Sequence, residues 1–125
     1  MKINKNILVL GGDSRQIYMS QYLEEYGAKV TLFGFENLMS EKPFPTLPNV
    51  NLATGSLKEE MCRADIVVLP LPVTRDGIKL NCAFSKDEPN LSDIVKLLNK
   101  NHIVFAGLLK DELYQKIANK ASQVT

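Results

Sequence analysis

No charge of one sign dominates this sequence of 125 residues, in which 15 Lys and Arg stand against 14 Asp and Glu. A formal net charge of +1 excludes the one-signed surface with which a nucleic-acid binder meets phosphate. No apolar run approaches the roughly 18 residues of a membrane span. Met1 to Lys5 lead directly into an apolar strand, which predicts a cytoplasmic protein without a signal peptide. The two cysteines, Cys62 and Cys82, form no C-x-x-C and have no histidine nearby. Reduced, buried thiols are expected, not a disulfide or a zinc site. His102 is the single histidine, and no spacing suggests a Ser/His/Asp triad. Repeats and low-complexity tracts are absent. A hydrophobic fraction of 45% excludes disorder, and the length suits one domain.

What is present begins at Asn6. Ile7, Leu8, Val9 and Leu10 form a short apolar run, the mark of a strand buried on both faces. Gly11 and Gly12 permit a sharp turn, and Asp13 or Ser14 can cap a helix whose apolar positions are Met19, Tyr22, Leu23 and Tyr26. A strand, a glycine turn and a capped helix gather backbone N–H groups at one point and predict a place for an anion. A dinucleotide loop would read G-x-G-x-x-G. Here Asp13 and Gln16 hold the second and third glycine positions, and a carboxylate repels pyrophosphate. The loop also lacks the G-K-[ST] of a P-loop. A plain turn of an α/β sheet is the competing reading.

Further along, Gly27 is placed to end the first helix and Lys29–Phe33 reads as a second strand. Phe35–Met39 suggests a short helical turn. Glu36 stands where some dinucleotide folds keep a ribose-binding acid, or is a solvated surface glutamate. Pro43, Pro45 and Pro48 predict an irregular loop. Val50–Ala53 reads as a weak third strand and Thr54–Arg63 as a helix with Leu57 and Met61 one turn apart. Asp65–Pro70 is the fourth strand, ended by Pro70 and Pro72. Ile78, Leu80, Cys82 and Phe84 alternate with polar or small residues, which predicts a half-buried strand after the Asp76-Gly77 turn. Leu91, Ile94, Val95 and Leu98 follow helical spacing, His102–Ala106 gives a fifth strand, and Leu113 to Ala121 a last helix.

Strands alternating with helices predict a three-layer α/β sandwich, flavodoxin-like or Rossmann-like. Its sheet is expected to have five mostly parallel strands in the order 2-1-3-4-5, with a hairpin-like excursion. The ligand crevice would then lie at the carboxyl ends of the strands. Three loops meet there: Gly11–Gln16, Pro70–Gly77 and Gly107–Lys110. Arg15 and Arg75, on the first two, suit a ligand with two carboxylates. Each also reads as a surface charge or as a partner of Asp13 or Asp76. Asp13 could act as a base, orient a substrate, or cap the helix. Gln16 and Thr74 add neutral hydrogen-bonding groups. His102 falls at the opposite end, and the paired acids Glu24-Glu25, Glu59-Glu60 and Asp87-Glu88 read as solvated charges.

The Ile7–Leu10 strand with Gly11-Gly12-Asp13-Ser14-Arg15-Gln16 resembles the N-terminal domain of the dipicolinate synthase A subunit. So do Leu32-Phe33-Gly34-Phe35, Ala64–Pro70 with Pro72-Val73, Ala83-Phe84-Ser85 and Ile103–Gly107. The similarity runs from about Ile7 to the final helix, and G-G-D-x-R-Q is far more specific than a generic glycine loop. The resemblance implies an NAD(P)-dependent oxidoreductase that makes pyridine-2,6-dicarboxylate from a dihydrodipicolinate precursor during bacterial sporulation. It implies that NAD or NADP sits on a C-terminal domain absent here, so that this chain holds no cofactor or metal and is inactive alone. A flavoprotein-like B subunit of dipicolinate synthase is the implied partner, and a homo-oligomer is compatible with it. On this reading Gly11, Gly12, Arg15 and Gln16 bind one substrate carboxylate, Thr74 and Arg75 act on the opposite side, and Asp13 orients or accepts a proton.

The rival is a non-catalytic module that binds a small acid or serves as a docking piece of a larger assembly. More specific rivals fit poorly. A phosphorylation receiver needs an Asp after the third strand, where Ala53-Thr54 stand. A flavodoxin needs a hydroxyl- and glycine-rich loop where Asp13 and Arg15 stand.

Overall fold

Ile7, Leu8, Val9 and Leu10 are each at most 5% exposed, and a strand so completely covered belongs in the middle of a sheet. The computed structural model, which describes residues 4–37, 51–85 and 87–125, places them there as β1 (Asn6–Leu10). After it come α1 (Ser14–Glu25), β2 (Lys29–Phe33), β3 (Asn51–Leu52), α2 (Leu57–Arg63) and β4 (Ile66–Val68). The chain continues through α3 (Leu91–Leu97), β5 (Ile103–Phe105), α4 (Asp111–Lys120) and β6 (Gln123–Val124). The proline loop at Pro43, Pro45 and Pro48, and the far end of the turn expected over Phe35–Met39, lie outside the described residues.

The three-layer α/β architecture is the expected one, but the strand order is not. Neighbouring strands pair in parallel in the order β3-β2-β1-β4-β5-β6, where 2-1-3-4-5 was expected. The third strand lies at the outer edge, with Thr31 opposite Asn51 and Leu32 opposite Leu52. A central strand must be apolar on both faces, and an exposed asparagine followed by a half-buried leucine cannot meet that condition. Ile66-Val67-Val68 can, and Ile66 sits opposite Ile7. The sixth strand, Gln123–Val124, is too short to announce itself in sequence.

Alternation along β1 divides the core. Leu8 and Leu10 share one face with Val67 and Val104, packing against Met61, Ile94, Leu98 and Ile117 of the other helical elements. Ile7 and Val9 share the other with Val30 and Leu32, beneath Ile17 of α1 and beside Phe35. Asp13 caps α1, its carboxylate accepting from the Arg15 N–H while the Gln16 side chain accepts from the Asp13 N–H. Met19 and Leu23 pack on the core. Tyr22 and Tyr26 do not. They are exposed and rest on each other, ring centroids 5.1 Å apart. Cys82 is buried as expected, whereas Cys62 is exposed.

His102 is 1% exposed at the amino end of β5. Its Nδ1 accepts from the Asn99 N–H at 3.1 Å, which leaves the proton on Nε2 to be donated to the Met61 carbonyl at 2.7 Å. The histidine thus joins the end of α2 to the loop before β5, a structural task at the end of the sheet opposite the crevice. Among the described residues no helix is long and apolar enough to cross a membrane.

Candidate functional site

Reversal of the strand order falls between β1 and β4, so the crevice opens at their carboxyl ends. The segment between β4 and α3 folds back into it. Asp76 Oδ1 accepts from the Ile78 and Lys79 N–H groups at 2.8 and 2.9 Å, making the turn expected at Asp76-Gly77. Thr74 then bridges Leu80 in antiparallel fashion, and Cys82 bridges Gly12 in parallel. The excursion is hairpin-like, but Ile78 to Phe84 is not the regular strand expected. Leu80 and Cys82 are buried while Ile78 is 63% exposed, and Asn81 on the alternate side is buried as well. Two covered sides within so short a stretch break a one-faced period.

This return corrects the anion-cradle reading of the glycine turn. The Gly11 N–H donates to the Phe33 carbonyl and the Gly12 N–H to the Asn81 carbonyl, both at 2.8 Å. The Ala83 N–H donates back to the Gly12 carbonyl at 3.0 Å. Gly11 has φ +67°, and a Cβ there would lie 2.7 Å from the Asn81 carbonyl oxygen and 2.8 Å from Cys82 Sγ. Its glycine therefore serves the approach of the chain's own backbone. With these donors committed and a carboxylate at Asp13, the turn does not fit a cofactor pyrophosphate.

Side chains supply what the backbone does not. Arg15 pairs with Asp13 twice, Nε to Oδ1 at 3.0 Å and Nη2 to Oδ2 at 3.1 Å, and Nη2 also reaches the Leu71 carbonyl at 2.9 Å. Leu71 precedes Pro72 through a cis peptide bond. Arg75 is exposed, with its Nε donating to Asn81 Oδ1 at 3.1 Å. The structure therefore brings Asp13, Arg15 and Arg75 together at one rim. Gln16 is turned inward to the Asp13 N–H, and the Thr74 hydroxyl is held within its turn by Asp76 and the Gly77 N–H. The Thr74 proton is thereby spent, whereas Gln16 has only its Oε1 engaged and keeps its Nε2 donors. Sequence reasoning misses Asn81, because an asparagine inside an alternating segment reads as its solvent side.

The Arg15 side chain holds the Asp13 carboxyl below its ordinary range, with the Arg15 N–H and the charges of Arg15 and Arg75 adding to an effect that partial burial opposes. A carboxyl so depressed is a poor proton acceptor. Its stabilising contribution is complete above the unfolded value of about 3.9 and is lost as pH falls through the lower folded value. Asp13→Ala should cost about 1 kcal/mol at neutral pH through the lost cap. Asp13→Asn keeps a capping oxygen, and in acid denaturation followed by circular dichroism it should show a smaller loss of stability below about pH 4. The Cys82 thiol is pushed up to about 12, chiefly by burial, which makes it unreactive.

Apolar side chains stand beside these charges at the rim. Leu71 and Phe105 are 44% and 42% exposed and Leu108 is 88% exposed, and a Cβ on Gly107 would meet Leu71 Cδ1 at 2.7 Å. Glu36 lies exposed and accepts from the Ser85 hydroxyl. A cavity of about 160 Å³ opens at the far, amino end of β1 and β2, where buried Glu60 pairs with Arg63 beside Lys29 and Thr31. None of the crevice residues reaches it. Among the described residues no three His, Cys, Asp or Glu side chains gather as metal ligands would.

A parallel sheet in this order, with its crevice where the order reverses, defines a Rossmann-type α/β domain. The family model for the N-terminal domain of the dipicolinate synthase A subunit matches residues 6–125, and the chain belongs to that family. Among solved structures it is similar to the dipicolinate synthase A subunit from Bacillus halodurans, at 22% identity and TM-score 0.73, over 100% of this chain and 41% of that one. The A chain of dipicolinate synthase from Bacillus subtilis aligns at 24% identity and TM-score 0.70, over 97% and 40% of the two chains. Shikimate dehydrogenase from Aquifex aeolicus aligns at 23% and 0.58, over 96% and 41%. At these identities the likeness is one of fold, and the chain spans about two fifths of each relative's length. No curated protein matches the chain significantly.

Proposed function

We propose that this chain is the substrate-side domain of a dipicolinate synthase A subunit, an NAD(P)-dependent oxidoreductase forming pyridine-2,6-dicarboxylate in sporulating bacteria. The observation that carries the reading is the meeting of Arg15, Asp13 and Arg75 at the crevice, within a domain of that family. Arg75 offers a guanidinium end to one carboxylate of the diacid. Arg15, held between Asp13 and the Leu71 carbonyl, keeps its Nη1 for the same ligand. Asp13 stays ionised and orients Arg15. The nicotinamide, when bound on the remainder of the enzyme, supplies the hydride acceptor. A flavoprotein-like B subunit and a cytoplasmic location complete this proposal.

Calorimetric titration of dipicolinate into the chain tests it. Arg75→Ala should weaken binding about tenfold or more, as expected for a charge-assisted pair, and Arg15→Ala by less. Undiminished binding in Arg75→Ala would count against the assignment. The exposed Leu71, Phe105 and Leu108 favour a second reading, a docking domain without its own ligand site. Absence of any binding by the unmodified chain would support that one.

A further inference from the structure

We propose that Asn81 is a positioning residue that presents Arg75 end-on to a carboxylate, which makes Arg75 the cation that selects the ligand. The inference rests on the dicarboxylate reading above and deepens it. Asn81 is 7% exposed, and all four of its polar groups are committed. Its Oδ1 accepts from Arg75 Nε and its Nδ2 donates to the Pro72 carbonyl, each at 3.1 Å. Its N–H donates to the Val73 carbonyl and its own carbonyl accepts from the Gly12 N–H, each at 2.8 Å. One side chain therefore locks the rim loop, and one backbone unit locks that loop to the turn after β1.

The two arginines are left in different states. Arg15 has Nε and Nη2 on a carboxylate and a carbonyl, so its charge is already answered. Arg75 has only Nε engaged, by a neutral amide, and neither of its Nη groups bonds to another described residue. Those two nitrogens form the guanidinium edge that takes a carboxylate in bidentate fashion. An exposed arginine held this way has less rotamer freedom to lose on binding. The neutrality of Asn81 matters too. An aspartate would hold the same nitrogen but cancel the charge, and it would give up the donor that meets the Pro72 carbonyl.

The test is a double-mutant cycle with dipicolinate titrated into the chain. Asn81→Ala should weaken binding about fivefold. In the Arg75→Ala background the same change should add nothing, since Asn81 acts through Arg75. Additive losses would overturn the inference and leave Asn81 a merely structural residue. Asn81→Asp is the second variant, and it should keep the Arg75 Nε–H slow to exchange by NMR while losing most of the binding. Binding as tight as that of the unmodified chain would overturn the inference. The Nε–H signal in the ligand-free protein gives an independent reading, and it should exchange faster in Asn81→Ala. An unchanged signal would refute the positioning role even if dipicolinate binds. No binding by the unmodified chain, with the Nε–H still protected by Asn81, would sink the dicarboxylate reading and leave the holding of Arg75 intact.

Discussion

Gly11→Ala should destabilise the protein by about 3 kcal/mol, the sum of a left-handed backbone and an overpacked contact. The backbone contribution follows from φ +67°, which an L-residue adopts at a cost of about 1 kcal/mol. The packing contribution follows from the Cβ, which would lie 2.7 Å from the Asn81 carbonyl oxygen, 2.8 Å from Cys82 Sγ and 2.9 Å from Leu80 Cδ2. The first of these atoms is backbone and the other two belong to buried side chains, which leaves little room to yield. Gly77→Ala separates the two contributions, because Gly77 has φ +83° but nothing within 4 Å of an added Cβ. It should cost only about 1 kcal/mol. Urea denaturation measures both as shifts of midpoint at constant slope. Equal shifts would mean that the returning excursion does not bear on the turn.

His102→Ala should cost about 4 kcal/mol, through the cavity left by a buried ring and the loss of its two hydrogen bonds. The ring is 1% exposed, and its removal deprives the Asn99 N–H and the Met61 carbonyl of partners. The melting temperature should fall by roughly 15 °C. His102→Asn, with an amide in place of the ring, should recover part of that loss. Dipicolinate binding by the folded His102→Asn protein should be unchanged, since the residue lies at the other end of the sheet. A large change in affinity at unaltered stability would contradict the structural assignment.

The legible parts of this fold are those whose residues answer to one condition at a time. Ile7–Leu10 and Ile66–Val68 are apolar because both faces are covered, and they read as central strands at once. Asp13 reads as a cap because a carboxylate before a helix has few better uses. Position within the sheet is harder, since Asn51-Leu52 says little about which neighbour it will choose. Tyr22 and Tyr26 satisfy helical spacing but meet each other on the outside, because spacing alone does not say which side of α1 faces the sheet. The candidate site was legible in its charges and illegible in the partners of those charges. Arg15 and Arg75 could be singled out, while Asn81, which holds one of them from 6 residues away, depends on a chain reversal that no local pattern specifies.

That reversal also limits what substitution at the first turn could achieve. Placing glycines at positions 13 and 16 would add flexibility without freeing the donor, for the Gly12 N–H would still face the Asn81 carbonyl. It would also dismantle the Asp13–Gln16 capping box. A nucleotide could be admitted only by withdrawing the segment that carries Asn81, and with it the hold on Arg75. The same short stretch of chain that closes the turn to a pyrophosphate thus also holds the arginine on which the proposed carboxylate site depends, so opening the turn to the one would loosen the grip offered to the other.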